Sequence, residues 1–526
     1  MNLDTAHPLE AAEASPPALP SSTGKAVLYL AWPVLAQQFL ILLVSLSDSF
    51  LAGYFQPVPP RQQAEALGQQ LLALGLLGGQ APGNGLGQVL AAQAPWAVAH
   101  HLAGSHVSYQ SAQTTAHYLA WLITSYTVLV SVGSTALVAR FIGAGQTTAA
   151  VHVTNQSLLL ALVLGLLGSA AGLLGGKHLV ILLQLQGDTV AIASDYLRPL
   201  FWLLVFQVLE AAGIACLVGA GDTRTGLWVL GSVSLINLPL AWLFFRGLGP
   251  LPALGFEGIS LGTALSHTLG ALAVLAVLAH GRAGLRLHLR MLRPQADLLW
   301  RLLRVSVPAG LDSLSQVVGQ LWFLSIVNRL GDVASSAHGI AIRWEALGFL
   351  SGAAFGTAAM TLVGQNLGAR RPRQAARCGW TAFALGCGVM CLMGMVFFLL
   401  APAMFRLFCP DPDQRPVIEA GVPLLRLVAF AMPPLACCII FTYALRGAGD
   451  TRVPVLFTWL GFLGVRIPLA YLLTYRPLDL GWLFAGWPGY DPGLFGAWLA
   501  MFADLLVRGG FFLYRFAGGR WQTVRV

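Results

Sequence analysis

The hexapeptide Gly219-Ala220-Gly221-Asp222-Thr223-Arg224 returns letter for letter as Gly447-Ala448-Gly449-Asp450-Thr451-Arg452. Each copy follows a long apolar stretch and precedes another, as a helix-ending turn with glycine at the cap would. Around these turns, Pro239-Leu240-Ala241-Trp242 is echoed by Pro468-Leu469-Ala470-Tyr471. Upstream, Leu137-Val138-Ala139-Arg140-Phe141-Ile142-Gly143-Ala144 parallels Leu362-Val363-Gly364-Gln365-Asn366-Leu367-Gly368-Ala369. The polypeptide is two related halves, and duplicated helical bundles facing each other across a cavity recur among membrane proteins.

Of the 526 residues, 56% are hydrophobic and only 10% charged. A soluble domain carries roughly a quarter charged residues, so an ordinary globular protein is excluded. Apolar runs of about 20 residues cross about 30 Å of hydrocarbon. Twelve are predicted, near 27–52, 114–139, 150–175, 190–218, 226–246, 258–280, 298–328, 334–363, 377–402, 417–445, 453–475 and 494–516. The expected fold is an all-α polytopic membrane protein: twelve transmembrane helices in two pseudo-symmetric six-helix bundles. The repeat is parallel, because an even number of crossings separates equivalent helices.

The net charge of +9 reports topology, not nucleic-acid binding. Arg282, Arg286, Arg290 and Arg293 fall between spans six and seven, and Arg370, Arg371, Arg373 and Arg377 between eight and nine. Arg515, Arg520 and Arg525 close the chain, while the opposite loops hold Asp188, Asp332, Asp411, Asp413 and Asp479. By the positive-inside rule both termini are expected in the cytoplasm, with the chain in the inner cell membrane. Seven cysteines, six within or at the ends of predicted spans, give no disulfide framework and no metal-ligand spacing. Residues 1–24 lack a basic start and apolar core and read as a disordered cytoplasmic tail.

Pro33 pairs with Pro308 at an offset of 275 and Gly143 with Gly368 at 225, so about 50 extra residues separate the first two spans. Residues 56–110, rich in Gln, Ala, Gly and Pro and carrying His100, His101 and His106, are that insertion, expected outside the cytoplasm. The expected layout is an N-lobe over 25–281, a basic linker over 282–297, and a C-lobe with the C-terminus over 298–526.

Taken in order, these motifs resemble the multidrug and toxic compound extrusion (MATE) transporters. The resemblance covers nearly the whole chain outside the tail and the insertion. It rests on Pro33 with Asp48 fifteen residues on, on Gly133–Gly145, on Ala337-His338-Gly339-Ile340 with Leu362–Gly368, on the duplicated turns, and on Asp504, Arg508, Arg515 and Trp521. It implies a twelve-helix, two-lobed exporter using a proton or sodium gradient to expel amphipathic, often cationic, compounds. No cofactor is expected beyond the coupling ion, with H+ favoured over Na+. The expected partners are a small organic substrate and the bilayer, and the expected state is a monomer.

A mid-span carboxylate costs about 2.5–3.5 kcal/mol on insertion scales, so Asp48 should face a polar interior and act there as a proton or ion switch. The resemblance also places the family's functional acid at Asp48, a polar N-lobe position at Asn237 and a hydroxyl at Thr263. Some members carry a second aspartate four residues after the asparagine; here that position is Ala241. Others place a glutamate eight residues beyond the seventh-helix proline; here it is Gln316. Glu210, eleven residues before Gly221, sits about 16 Å along the helix, near the bilayer midplane, and is the candidate compensating acid. In the C-lobe, Gln316, Gln320, Arg343, Glu345, Arg466 and Tyr443 are candidate cavity residues, Arg466 standing at the repeat position of Asn237. An Arg beside an acid inside a bundle also reads as a structural pair. Pro33 leaves a carbonyl unpaired and is the expected hinge.

Gly-x-Gly-Asp is also an intramembrane aspartyl-protease signature, but both copies fall at predicted cytoplasmic turns and continue as Thr-Arg. No zinc-protease, serine-hydrolase or P-loop signature occurs, so ATP drive within this chain is excluded. The alternative to drug export is a flippase for lipid-linked precursors, for which Arg343 and Arg466 would face the cavity. An intramembrane enzyme is the third reading, and the sequence offers it no catalytic pair.

Overall fold

A computed structural model describes residues 17–54, 122–123, 125–182, 188–247, 254–409, 414–475 and 492–524. The 56–110 insertion and its three histidines lie outside the described residues. The elements are α1 (Thr23–Tyr54), α2 (Ser125–Gly143), α3 (Thr147–Leu182), α4 (Asp188–Trp202), α5 (Leu204–Gly219), α6 (Thr223–Arg246) and α7 (Phe256–His280) in the first half. The second half holds α8 (Ala296–Asn328), α9 (Asp332–Gly368), α10 (Pro372–Arg406), α11 (Arg415–Gly447), α12 (Arg452–Trp459), α13 (Ile467–Tyr475) and α14 (Pro492–Ala517).

Among the described residues ten helices are long and apolar enough to cross a membrane, and α4 with α5 makes an eleventh bent by 54°. The 33-residue α8 completes the twelve, less apolar than the rest because it carries Arg301, Arg304 and Asp312. Two expected spans differ from a plain helix. The span predicted over 190–218 breaks at Leu203, and the one over 453–475 contains a π-helical stretch, Leu460–Arg466. Neither break has a proline at its centre, and such π segments mark places where the backbone is re-aimed.

The duplicated turns fold identically at the backbone. In the first, Ala220, Gly221 and Asp222 donate N–H bonds to the carbonyls of Cys216, Val218 and Leu217; in the second, Ala448, Gly449 and Asp450 donate to Ala444, Arg446 and Leu445. Gly221 and Gly449 take φ of +93° and +83°, the left-handed region open to glycine. Each turn aspartate then binds an arginine just past or at the end of its lobe's last helix: Asp222 takes Arg282 at 2.8 Å, and Asp450 takes Arg515 at 2.7 Å.

The two halves meet along α2 and α9, and the meeting is reciprocal. A β-carbon on Gly143 would strike the Gln365 carbonyl, and one on Gly368 the Arg140 carbonyl, so the helices cross backbone to backbone. Arg140 donates to the Ala448 carbonyl at 3.1 Å and to that of Val524 at 3.0 Å. Its repeat partner Gln365 donates to the Gly219 carbonyl at 3.0 Å. The glycine-rich turns are thus the acceptors of the opposite lobe's helix end. Close by, Gly133 N–H donates to Ser306 at 2.8 Å and Thr361 to the Val218 carbonyl at 3.1 Å.

The lobes also exchange the feet of their first helices. Ala26, Val27, Leu30 and Ala31 of α1 belong to the C-lobe core, while Leu302 of α8 belongs to the N-lobe core. Beyond Pro33, α1 turns to its own lobe, where Gln37 nears Gly226 and Leu40 packs on Gly231 of α6. A small third cluster, Val132, Ala136, Val305, Ala309 and Met360, joins the lobes between them.

Replacing Gly447 with alanine drives a β-carbon into the Met360 carbonyl, a backbone group with nowhere to retreat. Gly447→Ala is expected to lose about 1–3 kcal/mol, read as a lowered thermal midpoint in detergent.

Candidate functional site

Each lobe holds buried polar side chains at mid-depth, and the two sets are chemically unlike. In the C-lobe every described aspartate of the interior is gripped by arginine. Asp504 on α14 accepts Arg508 Nε at 2.7 Å and Arg508 NH2 at 2.7 Å, and Arg466 Nε at 2.8 Å. The π stretch makes this possible: it carries Arg466 inward and brings Gly461 so close to Asp504 and Arg508 that no β-carbon fits. The Phe462 ring lies between the guanidinium groups, 4.4 Å from Arg466 and 4.8 Å from Arg508. Asp312 on α8, fully buried, accepts Arg446 at 2.7 Å, the Thr458 hydroxyl and, more distantly, Gln316 at 3.4 Å.

The expected C-lobe cavity residues are largely absorbed by this network. Gln320 accepts from Arg466 NH1 at 3.2 Å, and Glu345 is near enough for its charge to act on Arg466. Arg466 itself is 2% exposed. Arg343 is exposed, with its guanidinium 5.9 Å over the Phe408 ring at the end of α10. Tyr443, half-buried, packs on Gly356 and on the inter-lobe cluster, with the Arg446 guanidinium 5.6 Å from its ring.

The N-lobe set has no arginine. Glu210 on α5 is 2% exposed, and its Oε2 lies 2.6 Å from Nδ1 of His267 on α7. Asn237 on α6, equally buried, donates through Nδ2 to the Thr263 hydroxyl at 2.9 Å, and Thr263 donates to the Ile259 carbonyl. Thr263 and His267 are one turn apart on α7 and face the two polar partners in succession. Glu210 Oε1 and Asn237 Oδ1 are buried without a hydrogen-bond partner among the described residues. Glycines let these helices close: α7 presses its backbone at Gly262 against Ala241, and a β-carbon at Gly270 would strike Glu210 Oε1.

Asp48 lies in the last two turns of α1, and its side chain is outside the described residues. Leu40 packs on Gly231, and α1 runs alongside α6 in the same direction, so position 48 falls near the level of Asn237 and Pro239. The structure thus brings Glu210, Asn237 and Thr263 together and sets the backbone of Asp48 beside them. Pro33 is buried within an unbroken helix. His267 is the member that the sequence reading missed, although its place one turn after Thr263 was a usable signal.

Two six-span bundles joined at one end around a pseudo-twofold axis define a MATE-type membrane transporter. The MatE family model matches residues 102–243 and 308–472, and the chain belongs to that family. It is 26% identical over 471 residues to the probable multidrug resistance protein NorM of Thermotoga maritima, covering 89% of this chain and 96% of that one. NorM of Brucella suis is 27% identical over 341 residues, 62% of this chain and 68% of the relative. Among solved structures, a MATE protein in complex with MaL6 superposes with a TM-score of 0.77 at 18% identity, covering 95% and 98% of the two chains. The outward-facing conformation of a multidrug resistance MATE family transporter gives 0.76 at 19%, over 96% and 100%.

Breaking a buried ion pair leaves one charge stranded, at a cost of about 3–5 kcal/mol. Asp504→Asn strips the shared anion from Arg466 and Arg508, and is expected to reduce folded yield and thermal midpoint far more than Arg415→Gln. Arg415 pairs with Glu419 with three quarters of its side chain exposed, where such bridges are worth little.

Proposed function

We propose that this chain is a proton-coupled antiporter that exports amphipathic, often cationic, small molecules from the cell by alternating access. The observation that carries the reading is the difference between the lobes. The C-lobe aspartates are held by two arginines or by an arginine and hydroxyl, so their charge is fixed structurally. Among the described residues the N-lobe acid has only an imidazole, and its own Oε1 and the Asn237 Oδ1 lack donors. A group whose charge is to change during a cycle belongs in the second setting. Asp48, Glu210 and Asn237 are the coupling residues in this reading, with Thr263 orienting Asn237.

The substrate class follows from the relatives, which are named as multidrug resistance proteins, and from the placement of the two arginines that a flippase would need. A flippase would use Arg343 and Arg466 toward the cavity, whereas Arg466 is sealed between Asp504 and Phe462 and Arg343 lies over Phe408. With the termini and duplicated turns cytoplasmic, the inter-lobe bonds of Arg140 and Gln365 close the cytoplasmic side, and the conformation is outward-facing. Proton uptake in the N-lobe from outside then accompanies substrate release. Proton loss to the cytoplasm accompanies the return, after those bonds have opened and reformed. The protein acts as a monomer in the inner membrane with no bound cofactor.

Asp48→Asn is expected to abolish efflux of a fluorescent organic cation driven by an imposed pH gradient in vesicles, with expression and melting intact. Undiminished transport would remove Asp48 from the mechanism. Arg140→Ala removes two charge-assisted bonds worth about 1.5–3 kcal/mol each. It is expected to move spin-label distances across the cytoplasmic ends of α2 and α9 toward the open population, while an unchanged distance distribution would deny that these bonds hold the closed side.

A further inference from the structure

We infer that His267 is the port through which a proton reaches Glu210, and that the Glu210–His267 pair performs the ionic work of the acid missing at position 241. The inference rests on the proton-coupled reading above and deepens it.

The first observation is access. Glu210 is 2% exposed while the His267 side chain is 25% exposed, so the imidazole is the open end of a sealed carboxylate. The second is chemistry. With Nδ1–H donating to Oε2 at 2.6 Å, the ring carries its lone pair on Nε2. A proton arriving there takes the pair from one negative charge to none without breaking the Nδ1–H···Oε2 bond, and its loss from Nε2 restores the negative charge. No other group need change. The third observation is room. Position 241 is fully buried with the α7 backbone at Gly262 pressed on it, so an aspartate cannot stand there without parting α6 from α7. Two turns further along α7, Gly270 leaves the space that Glu210 fills, against Val233 of α6, itself one turn from Asn237. The acid thus stands on another helix, two turns nearer the start of α6 than position 241, with Asn237 between the two levels.

The surroundings leave the pair to itself. On α3, which packs on α5, the titratable groups His152, Lys177 and His178 lie within two turns of the helix ends. Arg224 and Arg246 stand at the ends of α6, and Glu257 and His280 at those of α7. On α4, Asp195 and Arg198 act on Glu257, near the start of α7 and away from Glu210, while Asp188 opens the helix. The few contacts from α9 reach α5 near Val218, away from His338, Arg343 and Glu345. The backbone of Asp48 on α1 falls between one and two turns beyond the pair, near the level of Asn237 and Pro239. A sodium ion is the poorer occupant. It needs several converging oxygens, yet the imidazole holds one of the two carboxylate oxygens of Glu210.

The test uses the full chain in proteoliposomes, with a fluorescent organic cation and an imposed pH gradient or sodium gradient separately, between pH 5.5 and 8.5. His267→Gln keeps an N–H toward Glu210 but cannot take up a proton. Its pH-driven transport is expected to fall about tenfold or more and to lose its inflection with pH, while binding of the cation, read by tryptophan quenching, persists. Gly270→Ala, which displaces Glu210 from the imidazole and removes neither group, is expected to shift that inflection and guards against a His267 variant that fails to fold. If the unaltered protein responds to the pH gradient and both variants that fold keep its rate and profile, this inference falls and the proton-coupled reading stands. A protein driven by sodium alone would bring down both.

Discussion

The closest constraint in this molecule is the crossing of α2 and α9, where a glycine of each helix rests on a backbone carbonyl of the other. Within hydrocarbon there is no hydrophobic force pulling helices together, so association depends on dense packing and on satisfying every polar backbone group. Small residues at Gly143, Gly368, Gly219 and Gly447 permit that density. The helix-end carbonyls of the duplicated turns, which would otherwise lack partners, take up Arg140 and Gln365 from the opposite half. The same six letters serve as cap, acceptor and pivot in each lobe.

Duplication did not produce equal partners. Asp222 caps α6 through the Thr225 amide and hydroxyl, whereas α12 begins without a side-chain cap and Asp450 spends itself on Arg515. Deeper in the bundle, the position of Asn237 in one lobe is Arg466 in the other. Around that arginine the C-lobe has gathered Asp504, Arg508 and two aromatic rings into a fixed charge cluster. Such clusters are weak sources of net stability but severe enforcers of a single arrangement. The N-lobe, with one imidazole against one carboxylate, has kept an arrangement whose charge can vary.

The fold was legible because repeats and apolar run lengths speak directly of backbone: Gly143 with Gly368 and the two hexapeptides gave the axis, and the charge of the loops gave the sidedness expected for them. The bend at Leu203 was signalled only by Pro199 one turn before it, in a run that read as one span, and the π stretch at 460–466 was not legible because packing of Arg466 and Gly461 on α14 accounts for it. In the polar layers, Glu210 was identifiable as an acid inside an apolar helix, while Asn237 and Thr263 came from the family resemblance. His267 was overlooked because its relation to Glu210 joins helices 57 residues apart, a distance that periodicity along one helix does not see. Gln320 read as a free cavity group for the same reason, since Arg466 reaches it from another helix, whereas Gln316 bonds Asp312 one turn away on its own helix.

The exchange of helix feet has a mechanical outcome. Residues 26–31 of α1 are embedded in one lobe and residues 37–40 in the other, and between them stands Pro33, where the ladder of helical hydrogen bonds already lacks a rung. Relative rotation of the lobes therefore loads this helix as a beam clamped at both ends. The load concentrates at its least stiff joint, and α8, anchored at Leu302 and at Phe323 on either side of Pro308, repeats the device. Any such rotation would strain two helices before it slid a greasy interface.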